Sequence, residues 1–125
     1  MDWEVEYYIL PNGECPVEKF IDSISKNAQA KAVFIIDILR MKGNQLREPY
    51  SKKLHDFEKL FELRFRSAGN IYRIFYFPTS ERKFILLHGF MKKSNETPQN
   101  EIERAIHYMN DYISRKEKHN GTQEN

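Results

Sequence analysis

The stretch that decides the fold is "FELRFRSAGNIYRIFYF", Phe61 to Phe77. Phe61, Leu63 and Phe65 alternate with Glu62, Arg64 and Arg66, the period of a half-buried strand. Ala68-Gly69-Asn70 signals a tight turn, and Ile71 to Phe77 then runs almost wholly apolar, as a central strand does. The stretch therefore predicts a β-hairpin. Arg73 interrupts its second strand on the same side as Ile71, Phe75 and Phe77, although arginine is almost never fully buried without a partner.

Outward from the hairpin the elements follow in simple order. "WEVEYYIL", Trp3 to Leu10, reads as a strand broken by the turn residues from Pro11 to Pro16. Val17, Phe20, Ile21 and Ile24 then recur at helical spacing, with Pro16 suited to the first helical position. A second helix, with Asn27 as candidate cap, carries Ala28, Ala32, Phe34, Ile35, Ile38, Leu39 and Met41 and stops at Gly43. "GNQLREPYSKKL" reads as a loop into the hairpin. "PTSER" turns into a third strand, Lys83 to Met91, and Thr97 and Pro98 open a final helix with Ile102, Ala105, Ile106, Met109 and Ile113 on one face. The order β-α-α-β-β-β-α predicts an α+β domain, a mainly antiparallel sheet with helices packed on one face and the other free for a ligand. We expect one domain over residues 1–116 and a disordered polar tail over 117–125.

Composition narrows the class. A chain of 125 residues that is 40% hydrophobic makes one soluble domain with a real core. It has no apolar run near the ~18 residues a membrane helix needs, and its acidic N-terminus is no signal peptide. Cys15 is the only cysteine, which excludes an internal disulfide framework and fits a reducing cytoplasm. The net charge of +2 hides an uneven distribution. Arg40 to Lys93 holds 13 Lys/Arg against 5 Asp/Glu, a balance of +8, while the remainder holds 7 against 13, or −6. A basic middle between acidic flanks suggests one basic face for an anionic partner, the alternative being charges scattered around the surface.

Candidate chemistry gathers at the ends of the last three strands. Arg64, Arg66 and Arg73 lie across the hairpin, and Lys92 and Lys93 follow the third strand. Guanidinium forks match phosphate oxygens bidentately and lysine adds a compact charge, so the cluster can grip RNA and stabilise charge developing in phosphoryl transfer. Lys52 and Lys53 add to the RNA-binding candidates, and Tyr72 and Tyr76 are either stacking platforms for bases or core aromatics. The four histidines form no metal-ligand constellation, and no cofactor is expected.

The order and spacing of these motifs resemble the RelE/ParE superfamily of bacterial toxins, in its HigB-like, phage-derived Gp49-like branch. The resemblance rests on Glu62, Leu63 and Arg64; on Tyr72, Arg73, Ile74, Phe75 and Tyr76; on Gly89, Phe90, Met91, Lys92 and Lys93; and on Pro98, Glu101 and Ile102. "PVEKFIDSI" and "KKL" extend it over nearly the whole chain to about Tyr112. It implies a RelE-like fold and the toxin of a type II toxin–antitoxin system, a metal-independent, ribosome-dependent mRNA endonuclease that halts translation. In such toxins the RNA's own 2′-OH attacks the adjacent phosphate. By this resemblance Arg73 is the transition-state stabiliser, and Arg64, Arg66, Lys92 and Lys93 are the accompanying cations. The implied partners are a HigA-like helix-turn-helix antitoxin, the ribosome and mRNA, with promoter DNA reached only through the antitoxin.

One departure concerns proton transfer. RelE-type toxins carry a tyrosine soon after the last strand's basic pair, where this chain has "SNETPQNE" and no tyrosine until Tyr108. His88 and His55 are the substitutes, with ordinary pKa values near neutrality; His88 also suits a core position between Leu86 and Phe90. Two rival functions remain: a ParE-like inhibitor of DNA gyrase, and a nucleic-acid-binding module without chemistry.

Overall fold

The computed structural model describes residues 2–54, 59–92 and 97–124, with side chains through His119. Among these residues are five strands and three helices: β1 (Glu4–Tyr7), α1 (Pro16–Ser23), α2 (Lys26–Lys42), β2 (Ser51–Lys53), β3 (Phe61–Ser67), β4 (Asn70–Pro78), β5 (Lys83–Lys92) and α3 (Gln99–Glu124). The strands form one sheet in the order β1-β5-β4-β3-β2. The β1–β5 pair is parallel and the other pairs are antiparallel.

The expected hairpin is β3 and β4, with Arg64 opposite Arg73 and Ser67 opposite Asn70. Ala68 and Gly69 turn the chain with φ of 50° and 80°, the left-handed pair that a two-residue hairpin requires. Because alternate residues face opposite sides, the register sorts the sheet into two faces. Leu63, Phe65, Tyr72, Ile74, Tyr76, Phe84 and Leu86 join α1 and α2 in one core cluster. Phe75, Phe77, Ile85, Leu87 and Phe90 join Ile102 and Ala105 of α3 in a second.

The sheet is thus covered on both faces, where helices on one face were expected. Only α1 and α2 share a face; α3 crosses to the other. The apolar run in β4 explains this, since a strand buried on both sides needs a cover on both sides. The cover by α3 is partial: it packs against β5 and β4. The part of this face left uncovered by α3 lies toward β3 and β2.

Local signals act as expected, with shifts. Pro16 opens α1. The cap of α2 is Ser25, whose hydroxyl accepts from the Ala28 amide at 3.2 Å, and not Asn27, which lies inside the helix. Gly43 closes α2, and a side chain there would collide with the Trp3 indole. "SKK" within the expected loop is the edge strand β2. The segment expected as a polar tail instead continues α3 to Glu124.

Candidate functional site

Glu62, Arg64 and Arg66 on β3, Arg73 on β4, and Lys92 on β5 alternate onto the α3 face of the sheet. Lys52, opposite Glu62 on β2, faces the same way. At the centre is a carboxylate. Glu62 is 1% exposed, and its Oε1 accepts from Arg73 Nη1 at 2.7 Å and from Arg64 Nη2 at 3.1 Å. Thr97, just ahead of α3, donates its hydroxyl to Glu62 Oε2 at 3.3 Å and accepts from Lys92 Nζ at 3.3 Å. Three cations from three strands are thereby joined, directly or through one hydroxyl, to one buried anion.

The electrostatics follow from that crowding. Arg73 is 2% exposed, and burial pushes its pKa down while the Glu62 carboxylate holds it up. Lys92, 5% exposed, is pushed down to about 8, first by burial and then by the Arg73 guanidinium. An arginine keeps its charge through such shifts, whereas a lysine lowered this far exchanges its proton near neutrality.

Beside the network runs a groove of about 280 Å³ lined by Pro49, Tyr50, Arg64, Phe65, Arg66, Ile71 and Arg73. Its lining carries three arginines and no carboxylate. Arg73 Nε and Arg64 Nε are both buried and make no hydrogen bond among the described residues. Buried donors left unsatisfied cost about 1–3 kcal/mol each. Arg66 is exposed at the rim. Tyr50, 52% exposed, lies in the same lining, its carbonyl held by the Arg64 amide at 2.9 Å.

The structure brings together Arg64, Arg66, Arg73, Lys92 and Lys52 of the sequence-derived candidates. Three others lie elsewhere. Tyr72 stacks on Phe65, and Tyr76 bonds Ser51 at 2.6 Å; both are buried on the α1/α2 face and offer no platform to the groove. Their stacking reading is corrected, because period-two alternation sends them to the side opposite Arg73. Lys53 also points to that opposite side, across from Phe61.

His88 is on the α3 face but belongs to the core. It is 3% exposed among Phe75, Phe90 and Tyr108, with Glu101 at 3.6 Å, and Phe90 stands between it and Lys92 along β5. Burial, with Arg104 adding to it, pushes its pKa down to about 4. Lys93 and His55 lie outside the described residues. Sequence reasoning missed Glu62 as the hub and Tyr50 as the exposed aromatic. The first sat on the polar side of β3 and could have been paired with Arg73; the second lay in a segment read as loop.

Residues 19–110 match the family model described as phage derived protein Gp49-like. This chain belongs to that family. The Gp49-like chain also shares its fold with a solved structure, the archaeal RelE–RelB complex from Pyrococcus horikoshii OT3. The match has a TM-score of 0.51 and 22% identity, over 77% of this chain and 100% of that one. The phage-derived branch and the RelE-like α+β fold expected from the sequence are both borne out. No curated protein matches the chain. No described helix is long and apolar enough to cross a membrane, and among the described residues no group of three His, Cys, Asp or Glu is placed to hold a metal ion.

Two stability predictions follow from the buried charges. Glu62→Gln leaves Arg73 and Lys92 without their counter-charge and should destabilise the fold by about 3 kcal/mol in denaturant melts; a loss below about 0.5 kcal/mol would contradict the hub assignment. His88 has an ordinary pKa of 6.5 and a folded one of about 4. The unfolded chain therefore binds the proton first. Stability from this group is fully present above about pH 6.5 and is lost as pH falls toward 4, by up to about 3 kcal/mol. His88→Leu should flatten the stability profile across that window, and an unchanged profile would show that other groups cause the acid loss.

Proposed function

We propose that this Gp49-like chain is the toxin of a type II toxin–antitoxin pair, acting in the cytoplasm as an endoribonuclease that cuts mRNA on the ribosome. The observation that carries this reading is that Arg73 and Arg64, both anchored by Glu62, lie with Arg66 along a groove whose lining carries no carboxylate. Membership of the Gp49-like family and the RelE-like fold support it.

In this reading a message enters the groove with a base against the exposed Tyr50 ring and its phosphates along Arg66 and Lys52. The substrate's 2′-oxygen attacks the neighbouring phosphorus, the bond to the 5′-oxygen breaks, and the products are a 2′,3′-cyclic phosphate and a 5′-hydroxyl. The transition state gathers negative charge on the phosphoryl oxygens. Arg73 and Arg64 meet it with donors that need not reorganise, because Glu62 and the sheet already fix them. Lys92 is the neighbouring group suited to proton exchange, taking the 2′-OH proton in its neutral form; the protonated amine can return a proton to the leaving 5′-oxygen. His88 takes no part, being neutral and behind Phe90. Lys93 belongs to this proposal as a further phosphate contact on sequence grounds alone. A HigA-like antitoxin would hold the toxin silent until needed, and only it would meet promoter DNA. The basic groove gives an acidic segment of that partner a complementary surface.

Primer extension on a translated message tests the proposal. Cleavage should need both ribosomes and the protein. Arg73→Lys, which keeps the charge beside Glu62 but loses the planar fork, should cut at least 100-fold more slowly while keeping the parent's melting behaviour. Unimpaired translation in the extract would contradict the proposal and favour a gyrase inhibitor. A near-parental rate for Arg73→Lys would reduce Arg73 to a structural ion-pair member.

A further inference from the structure

A second cavity lies on the opposite side of the sheet from the groove, where the end of α2 and the chain after it overhang β2 and β3. It encloses about 490 Å³ and is lined by Gly43, Leu46, Arg47, Ser51, Lys53, Phe61, Tyr76 and Phe84 together with Asn44, Glu48 and Lys52. That volume lies in the range of small-molecule sites, and the lining has two distinct parts.

The inner part is aromatic. Phe61 and Tyr76 stack at 5.5 Å, and Phe84 meets Tyr76 edge-on at 5.4 Å. Phe61 is only half-buried, so a flat apolar surface remains open to a ligand. At its edge the Tyr76 and Ser51 hydroxyls share one hydrogen bond of 2.6 Å. Two hydroxyls joined by one bond keep further donor and acceptor capacity for a polar ring edge. The Tyr76 hydroxyl is pushed up to about 12, mainly by burial, and so stays a donor.

The outer part is cationic. Arg47 donates through Nη1 to the carbonyls of Asn44 and Leu46, which fixes its fork at the rim, and it lies close enough to Tyr76 to bear on that hydroxyl. Lys53 is exposed on the facing edge strand. Glu48 is the one carboxylate in the lining, against three cations.

A half-buried Phe61 ring with a hydroxyl pair beside it and a fixed guanidinium at the mouth suits a ligand that is flat at one end and anionic at the other. We propose that this cavity binds a nucleotide, its base against Phe61, its polar edge at the Tyr76–Ser51 hydroxyl pair and its phosphate between Arg47 and Lys53. The nucleotide is either free or one unit of an RNA strand. Because β2 turns Lys52 to the α3 face and Lys53 to this cavity, a strand could pass around the open sheet edge from one face to the other. The inference stands on Phe61, Tyr76, Ser51, Arg47 and Lys53, which the proposed cleavage does not use.

The protein carries its own reporter, since the Trp3 indole stacks on Phe84 at 4.3 Å. The full chain is titrated with each of the four ribonucleoside 5′-monophosphates, and in parallel with the matching nucleosides and inorganic phosphate, by Trp3 fluorescence and by calorimetry. At least one monophosphate should bind saturably below millimolar concentration, at least tenfold tighter than its nucleoside or phosphate alone. The double variant Arg47→Ala, Lys53→Ala, altered only at exposed positions, should weaken that binding at least tenfold, and Arg73→Lys should leave it unchanged. Displacement of the monophosphate by a short single-stranded RNA would assign the site to a bound strand; failure to displace it would assign a free nucleotide. No saturable binding by any monophosphate, equal binding of phosphate alone, or an unaffected double variant would each overturn the proposal. A nuclease that fails in primer extension while binding a nucleotide here would separate the two readings.

Discussion

The Glu62 carboxylate is the constraint on which the site depends. A lone ionised carboxylate or guanidinium in a protein interior costs several kcal/mol, and a pair offsets this only with close geometry and further hydrogen bonds. Here Arg73 at 2.7 Å, Arg64 at 3.1 Å and Thr97 at 3.3 Å supply them. The arrangement is not an economical way to hold a sheet together, since apolar residues of similar volume would do as well or better. Its distinctive product is a set of cations aimed in fixed directions, with two guanidinium Nε donors unspent.

The fold makes this possible by dividing the α3 face. Toward β5 the helix seals an apolar cluster of Phe75, Leu87, Phe90, Ile102 and Ala105 around His88. Toward β2 the same face carries Lys52, Arg64 and Arg66. Glu62, Arg73 and Lys92 sit at the border between them, buried enough for electrostatics to be strong and near enough to the groove to act on a ligand. The depressed pKa values of Lys92 and His88 share burial as their first cause but differ in consequence. The lysine stands beside Arg73, while the histidine is shut behind Phe90.

Much of this was legible in the sequence because the hairpin has strict period two. Alternation placed Glu62, Arg64, Arg66 and Arg73 correctly, and an arginine inside the apolar run of β4 was visible as an anomaly. The same run implied a sheet buried on both sides, so α3 on the second face could have been inferred; order along the chain gave no information about which face it takes. The three-residue β2 was too short to show a period. That misread its lysines as one patch, when neighbouring strand residues must point to opposite faces. Tyr72 and Tyr76 were separated from the groove by the same rule. The hub role of Glu62 was hidden because a polar residue on the polar side of a strand looks solvated until an element such as Thr97 is known to cover it.

The groove lining offers cations, one phenol and apolar walls, but no group placed as a nucleophile. In the proposed cleavage the attacking oxygen is the substrate's own, and the protein's part is charge and aim. The chemistry of the cut ends tests this most directly. A message cleaved by the protein on translating ribosomes should carry a 2′,3′-cyclic phosphate upstream and a 5′-hydroxyl downstream, and a single 2′-deoxy substitution at the cut position should abolish cleavage there. Ends bearing a 3′-hydroxyl and a 5′-phosphate, or undiminished cleavage at the 2′-deoxy position, would contradict the account.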